Sequence, residues 1–174
     1  MTQPLHELAH IGHAELLTPK PEASLRFFEQ VLGMEVEARE GQSVFLRGWG
    51  DYQRYSLKLT ESERAGLGHM GLRAWSPQAL ERRAVAIEAE GLGRGWIDGD
   101  LGHGPAYRFS DPDGHAFELY FETEKYSPPD HLRPSLKNQP QRYVGRGAAV
   151  KRLDHVNVLA RDVLANRRFA AMQQ

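Results

Sequence analysis

The stretch Ile11-Gly12-His13-Ala14-Glu15-Leu16-Leu17, followed by Leu25-Arg26-Phe27-Phe28, decides the reading of this chain. Residues 9–17 alternate well enough for a strand carrying one histidine. Thr18-Pro19-Lys20-Pro21 then breaks the strand and opens a helix, since proline is tolerated in a first turn. The same order returns as Asp154-His155-Val156-Asn157-Val158 and Asn166-Arg167-Arg168-Phe169, and in both copies a phenylalanine stands fourteen positions after the histidine. A looser copy, Gly68-His69-Met70-Gly71-Leu72, precedes a helix near Leu80. Self-similarity on this scale sets the organisation of a chain. It predicts two complete strand-and-helix modules and the beginning of a third.

Outward from the first histidine, Leu25, Phe28 and Leu32 recur at helical spacing and Gly33 is a natural stop. Strands are expected over Met34–Arg39, Ser43–Arg47 and Arg54–Thr60, which makes a β-α-β-β-β unit over 8–64. The second unit, 66–123, repeats that order. Gly68–Trp75 reads as a strand, and Ser76-Pro77 as an N-cap with a first-turn proline. Leu80, Ala84 and Ile87 make an apolar stripe that ends at Gly91. Strands follow at Trp96–Gly99, Ala106–Ser110 and His115–Glu122, with Asp111-Pro112-Asp113-Gly114 as a turn. Together, residues 1–123 are expected to form one α+β domain, its two βαβββ modules paired into a curved mixed sheet. Residues 124–151, with Ser127-Pro128-Pro129, Arg133-Pro134-Ser135 and Gln139-Pro140-Gln141, suit an extended linker pinned through Tyr126, His131, Leu132 and Tyr143. Residues 152–174 restart the module with one strand and one helix, which bury no core of their own; they are expected to open a truncated third module.

Composition narrows the function. With 22 basic and 23 acidic residues there is no electrostatic case for nucleic acid or a membrane surface. Cysteine is absent, which excludes disulfides and thiolate metal sites. The first residues lack the charged and apolar regions of a signal peptide, and no apolar run is long enough to span a bilayer, so a cytoplasmic protein is expected.

The chemistry-bearing residues are His13 and His69, one on the first strand of each module, and Glu118 on the last strand of the second. If the modules pack side by side, these three converge. Two imidazoles and one carboxylate make a facial triad with open positions, a set suited to non-haem Fe(II). Along the last strand Ala116, Glu118 and Tyr120 share one face, opposite Phe117 and Leu119, so Glu118 is placed to line a cavity. The competing reading makes both histidines ordinary strand residues and Glu118 a solvated one. His10, His115 and His131 read as capping or surface residues, and Trp49, Trp75 and Trp96 as core or interface anchors.

The modules resemble the βαβββ units of the vicinal oxygen chelate superfamily, which holds the glyoxalases and bleomycin-resistance proteins. Specifically, the chain resembles the N-terminal half of type I extradiol ring-cleaving dioxygenases of the catechol 2,3-dioxygenase kind. Gly12 to Pro19, Leu25 to Phe28, Leu32-Gly33-Met34 and Asp111 to Tyr120 carry the resemblance. The most specific part is the linker from Tyr126 to Tyr143 with Arg152 to Val158 after it. The resemblance implies cleavage of a small aromatic diol by dioxygen, dependent on Fe(II) or alternatively Mn(II), in a protein that self-associates. It also implies that the N-terminal domain is a largely non-catalytic duplicate, and that His155 is the first metal ligand of the catalytic domain, whose remaining residues would lie beyond Gln174. Two departures favour the duplicate reading over a working His13, His69 and Glu118 triad. Arg108 stands where the catalytic pattern has a tyrosine ten positions before its glutamate, and the loop residue His103 lies closer to the next strand than that pattern has it. The rival classes are a stand-alone metal- or ligand-binding protein of the glyoxalase or bleomycin-resistance kind, and a purely structural, assembly-forming domain.

Overall fold

The structure, a computed structural model, describes residues 7–172; the N-terminal segment read for a leader, Met1 to His6, and Gln173-Gln174 lie outside the described residues. The strands are β1 (Leu8–Thr18), β2 (Glu35–Glu40), β3 (Ser43–Arg47), β4 (Leu57–Glu61), β5 (Gly66–Ala74), β6 (Gly93–Ile97), β7 (Ala106–Ser110) and β8 (Ala116–Tyr120). The helices are α1 (Pro21–Arg26), continued by one π-helical turn, α2 (Pro77–Ala89) and α3 (Val163–Met172). This is the α+β, βαβββ-repeat architecture expected from the sequence. Among the described residues no helix is long and apolar enough to cross a membrane. The chain divides into two compact units. The first unit takes the segment ending at Gly12, His69–Glu122 and the segment from His155; the second takes His13–Gly68 and Thr123–Asp154.

In the first unit β6 and β7 are antiparallel, β7 and β8 are antiparallel, and β8 runs parallel to β5. Helix α2 begins where the sequence indicates. Ser76 is extended and its Oγ accepts a hydrogen bond from the Ala79 amide at 3.1 Å, while Pro77 opens the first turn. Its buried stripe, Ala79, Leu80, Ala84 and Ile87, packs on Tyr107, Phe109 and Leu119. Gly91 ends the helix at φ 72°, a left-handed position that glycine adopts without strain. At the edge of this packing the Tyr107 hydroxyl donates to the Glu88 carboxylate. Burial, then that bond and the carboxylate's charge, pushes the phenol up to about 12.

The last segment does not form the strand expected at Asp154–Val158: residues 151–160 carry no strand, because an isolated strand finds no ladder to join. The helix after it exists and docks on the first unit. Asp162 caps α3 by accepting from the Leu164 and Ala165 amides, and Phe169 is buried against Phe109. The Asp113 carboxylate of the predicted turn accepts from the Arg161 amide and the Asn166 side chain, both at 2.8 Å.

The second unit repeats the ladder. β2 and β3 are antiparallel, β3 and β4 are antiparallel, and β4 runs parallel to β1, with Ala14 opposite Leu57. Strand β4 starts at Leu57, later than the expected Arg54, because residues 48–56 form a loop in which Asp51 accepts from the Gly48 amide and the Ser56 hydroxyl. Arg47 is fully buried on β3. Its guanidinium donates to Glu37 at 2.8 Å, to the carbonyl of Gly48 at 3.0 Å, to Gln141 at 3.0 Å and to Glu35, and stands 3.5 Å from the centre of the Tyr126 ring. A charge taken out of water is tolerated only when paired and hydrogen-bonded on all sides. Gln141 and Tyr126 supply part of that pairing from the Pro-rich segment, so the segment is packed rather than loose. Tyr126 is one of its expected anchors and Gln141 replaces the exposed His131 in that role.

Two outcomes follow from this packing. Replacing Gln141 by alanine removes the acceptor for Arg47 and Tyr126 and the donor to Glu35, so urea unfolding should show a loss of about 2–3 kcal/mol. Tyr107 ionises near 10 when unfolded and near 12 when folded, so its stabilising contribution is complete below pH 10 and lost as pH rises through 12. Tyr107→Phe should therefore lose less stability than the parent over that interval, measured as urea midpoints against pH.

Candidate functional site

Strands β7 and β8 sort their side chains to two faces, as the two-residue period requires. Tyr107, Phe109 and Leu119, with the part-buried Phe117, turn towards α2. Arg108, Glu118 and Tyr120 turn to the other side. Register places Glu118 opposite Arg108 on β7 and opposite Gly71 on β5. His69 lies two residues before Gly71 and shares its face. The His69 Nε2 stands 3.4 Å from Glu118 Oε2.

Glu118 is 1% exposed, so the solvated reading of this residue is wrong. A carboxylate at that depth requires compensation. Around it stand His69, the His103 ring with Nε2 3.1 Å from Oε1, and the Arg108 guanidinium, whose positive charge faces it with Nε 3.7 Å from Oε2. His103 comes from the loop between β6 and β7. Its Nδ1 lies 2.9 Å from the Gly104 carbonyl oxygen, which only accepts, so Nδ1 carries a proton and Nε2 is the nitrogen presented to Glu118. The ring stacks on Tyr120 at 4.4 Å between centroids. Two glycines make this possible. Gly99 sits at φ 112° with the His103 carbonyl 2.6 Å from where a Cβ would stand, which closes the loop tightly. At Gly12 a Cβ would meet the Tyr120 ring, 2.8 Å from its Cζ.

His69 and Glu118 are thus brought together in the first unit. His13 is buried in the second unit, its ring 4.8 Å from that of Tyr55. His155 is exposed in the segment without regular structure. His115 is half-buried and its Nδ1 donates to Asp111 at 2.7 Å, which makes it a turn-locking residue. Trp75 and Trp96, expected as anchors, are more than half exposed, whereas Trp49 donates to the Ala149 carbonyl and packs on Tyr143. The residue that sequence reasoning undervalued is His103. Its signal was the run Gly99, Gly102 and Gly104 around a histidine, which permits a loop tight enough to turn the ring inward.

The Gly12 contact yields a test. Gly12→Ala forces Tyr120 off the His103 ring and should cost about 1–3 kcal/mol in thermal or urea unfolding, with a changed His103 ring-proton shift in the NMR spectrum.

Comparison with known proteins agrees with this architecture. The model of the Glyoxalase/Bleomycin resistance protein/Dioxygenase superfamily matches residues 10–119. A metapyrocatechase of Geobacillus stearothermophilus is 53% identical over 157 residues, covering 90% of this chain and 48% of that protein. A manganese-dependent 2,3-dihydroxybiphenyl 1,2-dioxygenase of Geobacillus genomosp. 3 is 39% identical over 154 residues, covering 87% and 49%. Among solved structures, a homoprotocatechuate 2,3-dioxygenase from B. fuscum is similar with a TM-score of 0.81 at 26% identity, over 98% of this chain and 45% of that one. The chain spans about half the length of the curated relatives it matches. From the matched family model and the repeated βαβββ ladder, the chain belongs to the Glyoxalase/Bleomycin resistance protein/Dioxygenase superfamily.

Proposed function

We propose that the protein to which this chain belongs is an extradiol dioxygenase. It opens a catechol-type ring at the carbon–carbon bond beside the two hydroxyls, and both atoms of dioxygen enter the product. The 53% identity to a metapyrocatechase carries this reading. The substrate is a small aromatic diol, the setting is breakdown of aromatic compounds, and the ion is Fe(II), with Mn(II) as the alternative because a relative bears manganese in its name. When bound, a divalent ion supplies the Lewis-acid and redox chemistry that lets diol and dioxygen meet.

Two places in the sequence are offered to the ion. His155 is the ligand assigned to the catalytic domain. The alternative set is His13, His69 and Glu118, of neutral nitrogens and one hard anion, each buried. The donor types fit a divalent cation. The Glu118 carboxylate is already met by a guanidinium, however, and that charge opposes a cation there. We therefore assign the principal role to His155 and treat the chain's own domain as the supporting duplicate. It holds His103 and Tyr120 as a stacked pair behind Glu118. Self-association of the whole protein belongs to the same reading.

Oxygen uptake by the whole protein with catechol or 2,3-dihydroxybiphenyl tests the activity. Uptake should vanish on chelation and return with Fe(II) or Mn(II); no uptake with any vicinal diol after metal loading would sink the proposal. The place of the metal is tested on the 174-residue chain by Mn(II) titration. Weak or absent binding, tightened roughly tenfold by Arg108→Met, fits the duplicate reading. Stoichiometric binding by the parent chain, lost in His69→Ala, would move the site to His13, His69 and Glu118.

A further inference from the structure

Tyr107 and Arg108 are neighbours on β7 and face opposite sides of the sheet. Behind Tyr107, on the side away from Glu118, a cavity of about 660 Å³ opens between α2 and β6. Ala84 and Val85 form its apolar floor, Trp96 and Tyr107 its aromatic wall, and Glu81 and Glu88 its acidic groups. Val85 is 71% exposed and Trp96 is 53% exposed. The two aromatic rings meet edge-on at 5.3 Å, which leaves indole surface open to the cavity.

The charge of this cavity is one-sided. Its lining includes two carboxylates and no basic side chain. The arginines of α2 are engaged elsewhere: Arg82 donates to Glu7 at 3.1 and 3.2 Å, and Arg83 pairs with the same carboxylate at 3.5 Å. Arg94 donates to the Ser110 hydroxyl. An anion is repelled here. A neutral hydrophobe would cover the carboxylates and offer them nothing in return. A cation over an indole face, with carboxylates at the rim, satisfies both. The volume lies in the range of small-ligand sites and exceeds what a bare ammonium fills.

We propose that this cavity binds an amphipathic organic cation, an amine or quaternary ammonium with an aromatic or alkyl body. The body lies on Ala84 and Val85, the charge stands against Trp96, and Glu81 and Glu88 complement it. The site is independent of the Glu118 cluster and of ring cleavage.

Calorimetric titration of the chain with benzyltrimethylammonium, beside its neutral carbon isostere neopentylbenzene, tests this. Saturable binding of the cation, roughly tenfold tighter than the isostere and weakened by salt, is the expected result. Trp96→Leu and Glu81→Gln should each weaken it about fivefold while far-ultraviolet dichroism and the melting temperature stay near the parent's. Equal affinity for cation and isostere would overturn the proposal and leave an apolar cleft. So would absence of binding, or binding indifferent to both variants. If sedimentation shows self-association that Trp96→Leu abolishes and benzyltrimethylammonium does not inhibit, the occupant is a second copy of the chain and the proposal fails.

Discussion

The burial of the Glu118 carboxylate constrains much of the first unit. Strand β8 must give one face, Phe117 and Leu119, to helix α2, and this turns Glu118 to the other face. There the carboxylate is cut off from water, and each neighbouring element places a group beside it. β5 supplies His69, β7 supplies Arg108, and the β6–β7 loop supplies His103. The glycines follow from the same requirement. Gly99 turns the loop that carries His103, and Gly12 admits the Tyr120 ring stacked on His103.

The second unit meets a comparable demand with the opposite sign. Arg47 is buried on β3 and is neutralised by Glu35 and Glu37 from β2, with Gln141 and Tyr126 completing its shell. The two units share a ladder but not the buried group or its partners. This is what a duplicated module looks like when the ladder persists and the interior changes. It also explains why a Pro-rich segment with almost no regular structure is nonetheless held in place: it supplies hydrogen bonds that a buried guanidinium requires.

The architecture was legible in the sequence because its signals are local. Ser76-Pro77 and Gly91 bracket α2, and Asp111 to Gly114 marks the turn before β8. Strand ends were less legible. β6 begins at Gly93, inside a glycine run that reads as loop, because pairing with β7 overrides weak local preference. Of the site, His69 and Glu118 could be paired from strand position and alternation. Arg108 and His103 entered the sequence reading only as departures from a catalytic pattern; their contact with Glu118 depends on cross-strand register and loop closure, which spacing does not encode. The strand expected around His155 has no counterpart because pairing partners, not propensity, make a strand.

Glu118 stands between two histidines, and His103 is fixed by the Gly104 carbonyl. Long-range nitrogen–proton NMR of the ¹⁵N-histidine-labelled chain, compared with its Glu118→Gln variant, reads this directly. A proton on Nδ1 of His103 is expected, with a shift of the Nε2 signals of both His69 and His103 in the variant. A neutral His103 ring protonated only on Nε2, or two histidine spectra indifferent to the substitution, would contradict it.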